Sequence, residues 1–134
     1  MAEALFARRL SLRGVKDARV ESAGLGAEDG HPAAPLAQEL MQERGLDLSG
    51  HRSRLLTQEL LADFELVLVM EDRLKKAVEH AFPASRGRVQ ALGRFGKFDV
   101  PDPWGRPRAE YQRALTLIER GLDDYEKALW SNPP

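Results

Sequence analysis

The chain has 134 residues, 43% hydrophobic and 31% charged, which suits one soluble globular domain around a single core. Its net charge of −1 gives no bulk basicity for a nucleic acid or an anionic membrane surface, and the absence of cysteine excludes disulfides, thiolate metal sites and a cysteine nucleophile within these residues. No apolar run approaches the ~18 residues of a membrane span, and no leader pattern opens the chain, so a cytosolic location without membrane insertion is expected.

Residues 1–12 combine strong helix formers with a broad apolar side made by Met1, Ala2, Leu5, Phe6 and Leu10. Arg8, Arg9, Arg13, Lys16 and Arg19 give this region a local positive bias, the pattern of a solvated face. Gly14 ends the helix, residues 18–23 read as a short strand, and Gly24 to Pro32 is loop chemistry. Pro35 suits the first turn of a helix over residues 35–44, with Leu36, Ala37, Leu40 and Met41 on one stripe and Gly45 as its stop. Thr57 can cap a short helix that turns Leu60 and Leu61 inward.

Residues 65–70 (ELVLVM) form a nearly unbroken aliphatic run, as a parallel strand covered on both faces requires. Asp72 is placed to cap a helix carrying Leu74, Ala77, Val78 and Ala81, which Pro83 ends; residues 87–92 make another strand. A last helix is expected from Arg108 to Trp130, where Tyr111, Leu115, Ile118, Leu122, Tyr125 and Leu129 keep one continuous stripe that docks on a sheet. Three strands alternating with helices predict an α/β sandwich with a parallel sheet, although no strand precedes the first helix.

Between the last predicted strand and the last helix lies Asp99-Val100-Pro101-Asp102-Pro103-Trp104-Gly105. Two prolines fix φ near −65° around Asp102 and withhold their N–H groups, so its carboxylate has few local amides to cap. The plain alternative is an ordinary turn. A rigid loop at the C-terminal edge of a parallel strand is nevertheless where α/β proteins place working residues.

Six segments in order carry a family resemblance: Glu21-Ser22-Ala23-Gly24, Gly30-His31-Pro32, residues 45–54 (GLDLSGHRSR), residues 66–71 (LVLVME), Pro101-Asp102-Pro103-Trp104 and Leu117-Ile118-Glu119-Arg120-Gly121. Together they resemble a bacterial low-molecular-weight protein-tyrosine phosphatase, in register along nearly the whole chain. The resemblance implies a three-layer α/β fold with a parallel sheet in the order 2-1-3-4, present here as one domain over residues 1–134, and hydrolysis of phosphotyrosine through a cysteinyl-phosphate. It implies Asp102 as the general acid that protonates the tyrosyl oxygen and then activates water. It also implies Trp104 as an aromatic wall of the substrate pocket, Glu28 in the variable loop lining that pocket, and Ser22 and His51 as supports of the phosphate-binding loop. Glu28 and Asp29 would repel a phosphorylated ligand, which departs from the apolar residue common at this place. No metal and no cofactor is implied, since His31, His51 and His80 lack ligand spacing.

The family's nucleophile lies in a Cys-x5-Arg-Ser/Thr loop, ahead of a segment similar to Met-Ala-Glu-Ala-Leu. The chain is therefore expected to be N-terminally truncated, with the central strand 1 and the phosphate loop lying before Met1, and to be inactive as it stands. Loss of a central strand would separate its neighbours by about two spacings of ~4.8 Å. Each unpaired buried backbone group would then cost roughly 1–3 kcal/mol. An unstable chain is expected, or one in which residues 18–23 move against residues 65–70. The partner implied is a phosphotyrosine protein, including a bacterial tyrosine kinase. Two other readings stay open: a non-catalytic phosphatase-like binding protein, and the arsenate-reductase-like branch of the same family.

Overall fold

The computed structural model describes residues 1–130, in the order α1 (Ala2–Leu12), α2 (Pro35–Glu43), α3 (Gln58–Ala62), β1 (Val67–Val69), α4 (Asp72–Ala81), a 3-10 turn (Pro83–Ser85), β2 (Val89–Ala91) and α5 (Arg108–Trp130). The architecture is α/β with a parallel sheet. The chain divides into two units: Met1–Leu56 with Trp104–Gln112, and Thr57–Pro103 with the helix from Arg113 onward.

In the first unit, α1 and α2 form where helix formers and apolar spacing predict them. Their buried side chains are Leu5 and Leu10 on α1, and Ala37, Leu40 and Met41 on α2. Gly45 takes φ +75°, and the Leu46 N–H donates to Met41 O at 2.8 Å, so α2 closes with a left-handed turn that satisfies its last carbonyls. The Arg8 guanidinium donates to Arg44 O, joining α1 to the end of α2. The Arg108 guanidinium reaches two carboxylates one helical turn apart on α2, Glu39 at 3.1 Å and Glu43.

In the second unit, β1 and β2 pair in parallel with Val67, Leu68 and Val69 opposite Val89, Gln90 and Ala91. A parallel pair needs a crossover, and α4 supplies it. The Thr57 hydroxyl accepts the Leu60 N–H at 3.1 Å and starts α3 as expected. The Tyr125 hydroxyl on α5 donates to Ala91 O at 2.9 Å. Gly121 brings the helix backbone against Leu92, where a Cβ would stand 2.6 Å from Leu92 Cγ. Only glycine permits that approach.

Several expectations are corrected. Residues 18–23 are not a strand; they join no ladder, neither as a third strand nor paired with residues 65–70, and the sheet of the described residues has two strands. The single parallel bridge nearby, Gly24 to Leu55, lies just past them, while Glu21 turns to Arg19 at 3.0 Å and Arg54 at 3.5 Å. Extended backbone needs a neighbour along its length to count as a strand, and ion pairing does not provide one. Asp72 does not cap α4: it sits inside the helix, and its own N–H is capped by Asp99 from another loop, at 2.9 Å. On α4 only Val78 is fully buried, and Ala77 and Ala81 face solvent. On α5 the buried stripe stops one turn early, since Leu129 is 49% exposed.

Candidate functional site

The second unit holds Asp102, and the path of the chain to it is fixed by backbone bonds. After β2 the Leu92 N–H donates to Val69 O at 2.8 Å, and the Val100 N–H donates to Met70 O at 2.8 Å. Residues 92 and 100 are thereby both tied to the C-terminal end of β1. Val100 is 2% exposed and acts as the apolar anchor of the loop, whereas Asp102, two residues on, is exposed. Proline on either side stiffens the backbone at this carboxylate and withholds one adjacent amide. The arrangement presents an acid to solvent at the strand edge, where it can exchange a proton with a ligand oxygen.

Ser22 and His51 lie in the first unit and converge on one residue. The Ser22 hydroxyl donates to Glu3 Oε1 at 3.2 Å, and His51 Nδ1 stands 3.5 Å from Glu3 Oε2. Both groups face the same carboxylate, so this is not a nucleophile–base pair, in which the imidazole would face the hydroxyl. Glu3, near the start of α1, is the joining residue that sequence reasoning missed; an acid in the first turn of a helix is too common to stand out. His51 follows a turn in which the Ser49 N–H donates to Asp47 Oδ1 at 2.8 Å, and the hydrogen bonds from Ser49 hold the Asp47 carboxyl below its ordinary range. Glu3, Asp47, His51, Arg52 and Arg54 line an open cleft of about 330 Å³.

Glu28 belongs to a loop stitched to residues 53–56. The Gly24 N–H donates to Arg54 O at 3.0 Å, the Leu56 N–H to Gly24 O at 2.9 Å, and the Gly30 N–H to Ser53 O at 2.9 Å. The Ser53 hydroxyl donates to Glu28 O and accepts the His31 N–H at 3.0 Å. Asp29 is held in place, its Oδ1 accepting the Leu55 N–H at 2.8 Å. The Glu28 carboxylate stands 2.9 Å from His31 Nε2. Trp104 is 77% exposed, with its ring open to solvent rather than partly buried.

Among the described residues no group of His, Cys, Asp or Glu could hold a metal ion, and no helix is long and apolar enough to cross a membrane.

The family profile described as low molecular weight phosphotyrosine protein phosphatase matches residues 1–133. A probable low molecular weight protein-tyrosine-phosphatase EpsP of Ralstonia nicotianae is 42% identical over 92% of this chain and 81% of its own length. The low molecular weight protein-tyrosine-phosphatase Wzb of Escherichia coli is 35% identical over 92% and 84%. Among solved structures, Vibrio vulnificus Wzb in complex with benzylphosphonate superimposes with a TM-score of 0.86 at 30% identity, covering 95% of this chain and 87% of that one.

Proposed function

Because the chain belongs to the low molecular weight phosphotyrosine protein phosphatase family, we propose that its residues carry the proton-transfer part of a phosphotyrosine hydrolase, with Asp102 as the general acid. The observation that carries this reading is the anchored, proline-flanked and exposed carboxylate at the C-terminal edge of β1. Phosphoryl transfer needs an in-line nucleophile, donors for the equatorial oxygens and an acid for the leaving oxygen. Asp102 serves the third need. As the P–O bond breaks, it gives its proton to the tyrosyl oxygen; the resulting carboxylate then takes a proton from the water that attacks the phosphoenzyme.

The other residues take supporting parts. Trp104 walls the ring of the substrate, and Glu28 lines the same pocket from the stitched loop. Ser22 and His51, gathered on Glu3 beside the start of α1, support a phosphate-binding loop. The ligand class is a phosphotyrosine-bearing protein, of the kind a bacterial tyrosine kinase produces, and the setting is the cytosol. Benzylphosphonate on the Vibrio relative supports this, since it presents a phosphonate on an aromatic ring as phosphotyrosine presents a phosphate.

The 134 residues contain no cysteine, so a polypeptide made of them alone turns over aryl phosphates negligibly through a cysteinyl-phosphate. The test joins them behind a strand and Cys-x5-Arg-Ser loop from the Escherichia coli relative and measures hydrolysis of phenyl phosphate. The joined protein is expected to be active, and Asp102→Asn to lower kcat by roughly 10²–10⁴-fold. Robust hydrolysis by residues 1–134 alone, abolished by Asp102→Ala, would sink the statement about the nucleophile. An unchanged kcat in joined Asp102→Asn would sink the acid assignment. The missing thiol favours one second reading, a module that binds phosphotyrosine peptides without cleaving them; calorimetry of residues 1–134 with such a peptide would show saturable heat.

A further inference from the structure

The loop that carries Asp102 is held by more than its prolines, and the hold centres on a residue with no part in the reading above. From Gly93 to Phe98 the chain makes a tight turn closed by the Phe98 N–H on Gly93 O at 3.1 Å. The turn admits no side chain at either glycine that Phe98 approaches. A Cβ on Gly93 would lie 1.9 Å from Phe98 O, and one on Gly96 would lie 2.7 Å from Phe98 Cε1. The Arg120 guanidinium lies over the Phe98 ring, 4.9 Å from its centroid. Lys97, just before it, is the one non-glycine residue with positive φ among the described residues, at +56°. A lysine in that conformation is held there by its surroundings.

The turn delivers Asp99 to the start of α4. Its Oδ1 accepts the Asp72 N–H at 2.9 Å, one of the helix amides that has no partner inside the helix, and the positive end of α4 favours a carboxylate there. The N-cap residue of α4, Glu71, makes no side-chain capping bond, so the cap comes from 27 residues away in sequence. The next residue, Val100, donates to Met70 O at 2.8 Å. Residues 98, 99 and 100 are therefore attached in succession to the turn, to α4 and to β1. From there a single proline, Pro101, carries the backbone direction to Asp102.

We propose that Asp99 is the positioning residue of the proton-donating loop: its bond to the N-terminus of α4 fixes where the Asp102 carboxylate stands. This rests on the reading of Asp102 as the general acid. The competing role is that Asp99 only stabilises α4, and the two separate because a cap can be supplied locally. Glu71→Ser restores a side-chain acceptor at the N-cap without touching the loop.

The first arm uses residues 1–134. Asp99→Ala is expected to speed exchange of the Asp72 and Val100 amides about tenfold and to shift the Asp102 resonances, whereas Asp99→Asn, which keeps an acceptor oxygen, preserves both. The second arm uses the joined, loop-bearing protein. There Asp99→Ala is expected to lower kcat on the order of 10–100-fold for phenyl phosphate, whose leaving group needs a proton, and far less for p-nitrophenyl phosphate. The double variant Asp99→Ala/Glu71→Ser is expected to keep that steep leaving-group dependence although α4 is capped again. Return of phenyl phosphate turnover to its unsubstituted level in the double variant, with the steep dependence gone, would overturn the proposal, as would unchanged Asp102 resonances in Asp99→Ala. A kinetically silent Asp102→Asn overturns the acid assignment instead, and the exchange and resonance arm still decides whether Asp99 fixes the loop.

Discussion

The two units reach their ordered states by different routes. In the second, β1, β2, α4 and α5 are regular elements, and the loop bearing Asp102 is fastened to the start of a helix and to the end of a strand by bonds at two successive residues, Asp99 and Val100. In the first, the stretch from Glu21 to His31 has no ladder and is sewn to residues 53–56 by individual bonds from Gly24, Asp29, Gly30 and Ser53. The lesson is one of chemistry: the Asp102 loop is tied to repeating elements, while the stretch from Glu21 to His31 is tied bond by bond to another loop.

The largest expected effect tests the buried stripe on which the regular unit depends. Leu122→Ala, at a side chain 2% exposed, is expected to cost about 2–5 kcal/mol, from lost transfer energy and the cavity left behind. Leu12→Ala, at 79% exposure on α1, is expected to change stability by less than about 0.5 kcal/mol. Urea midpoints at constant slope measure both. Comparable losses at the two positions would show that the helix stripe is not what holds the second unit.

Arg88 comes next, because the regular unit also uses one long-range side chain. Its guanidinium donates to Leu61 O at 2.8 Å, in the last turn of α3, and to Phe64 O at 2.6 Å, just beyond that helix. Arg88→Ala is expected to cost about 1.5–3 kcal/mol, the range for hydrogen bonds to a charged group. A loss below 0.5 kcal/mol by the same denaturation would mean that water satisfies those carbonyls equally well.

How much could be read beforehand follows the same division. The helix bounds from Arg108 to Trp130 and the parallel pair of strands were legible, because a stripe at 3.6-residue spacing and an unbroken aliphatic run at Val67–Val69 each have one natural reading. The Pro-Asp-Pro loop was legible as a stiff carboxylate. Its fastening was not, since Asp99 caps a helix 27 residues earlier in the chain and nothing local distinguishes it from any loop aspartate. Residues 18–23 were misread as a strand because alternating Ala, Val and Ser suits extended backbone, while the ladder partner that defines a strand is a property of the fold. Ser22 and His51 were found through the resemblance, but Glu3, which draws them together, was hidden among helix formers.

A smaller effect is expected where the first unit is sewn. Ser53→Ala removes the hydroxyl that donates to Glu28 O and accepts the His31 N–H, and is expected to cost about 1–2 kcal/mol. Amide exchange at Gly30 and His31 should rise, while the Val67 amide, bonded to Arg88 O at 2.9 Å, keeps its protection. Unchanged exchange at Gly30 would show that Asp29 and the backbone bonds suffice without the hydroxyl.

The smallest expected effect separates a single hydrogen bond from the packing around it. Tyr125 is 4% exposed and its hydroxyl donates to Ala91 O, so Tyr125→Phe keeps the ring and loses one bond, a cost of about 0.5–1.5 kcal/mol. Burial pushes the phenol above its ordinary range, with the nearby Arg94 charge opposing. A group whose folded pKa is raised contributes stability that is fully present below its unfolded pKa, near 10, and is lost as pH rises through the folded value. A phenolate has no proton to give Ala91, which is the physical content of that loss. The stability gap between the native chain and Tyr125→Phe is therefore expected to be flat up to about pH 9 and to close at higher pH. A gap that stays constant through pH 11 would show that ionisation of Tyr125 is not linked to folding, and a gap of zero at neutral pH would show that its hydroxyl contributes nothing to the hold of α5 on β2, leaving the Gly121–Leu92 approach and the apolar stripe as the whole of it.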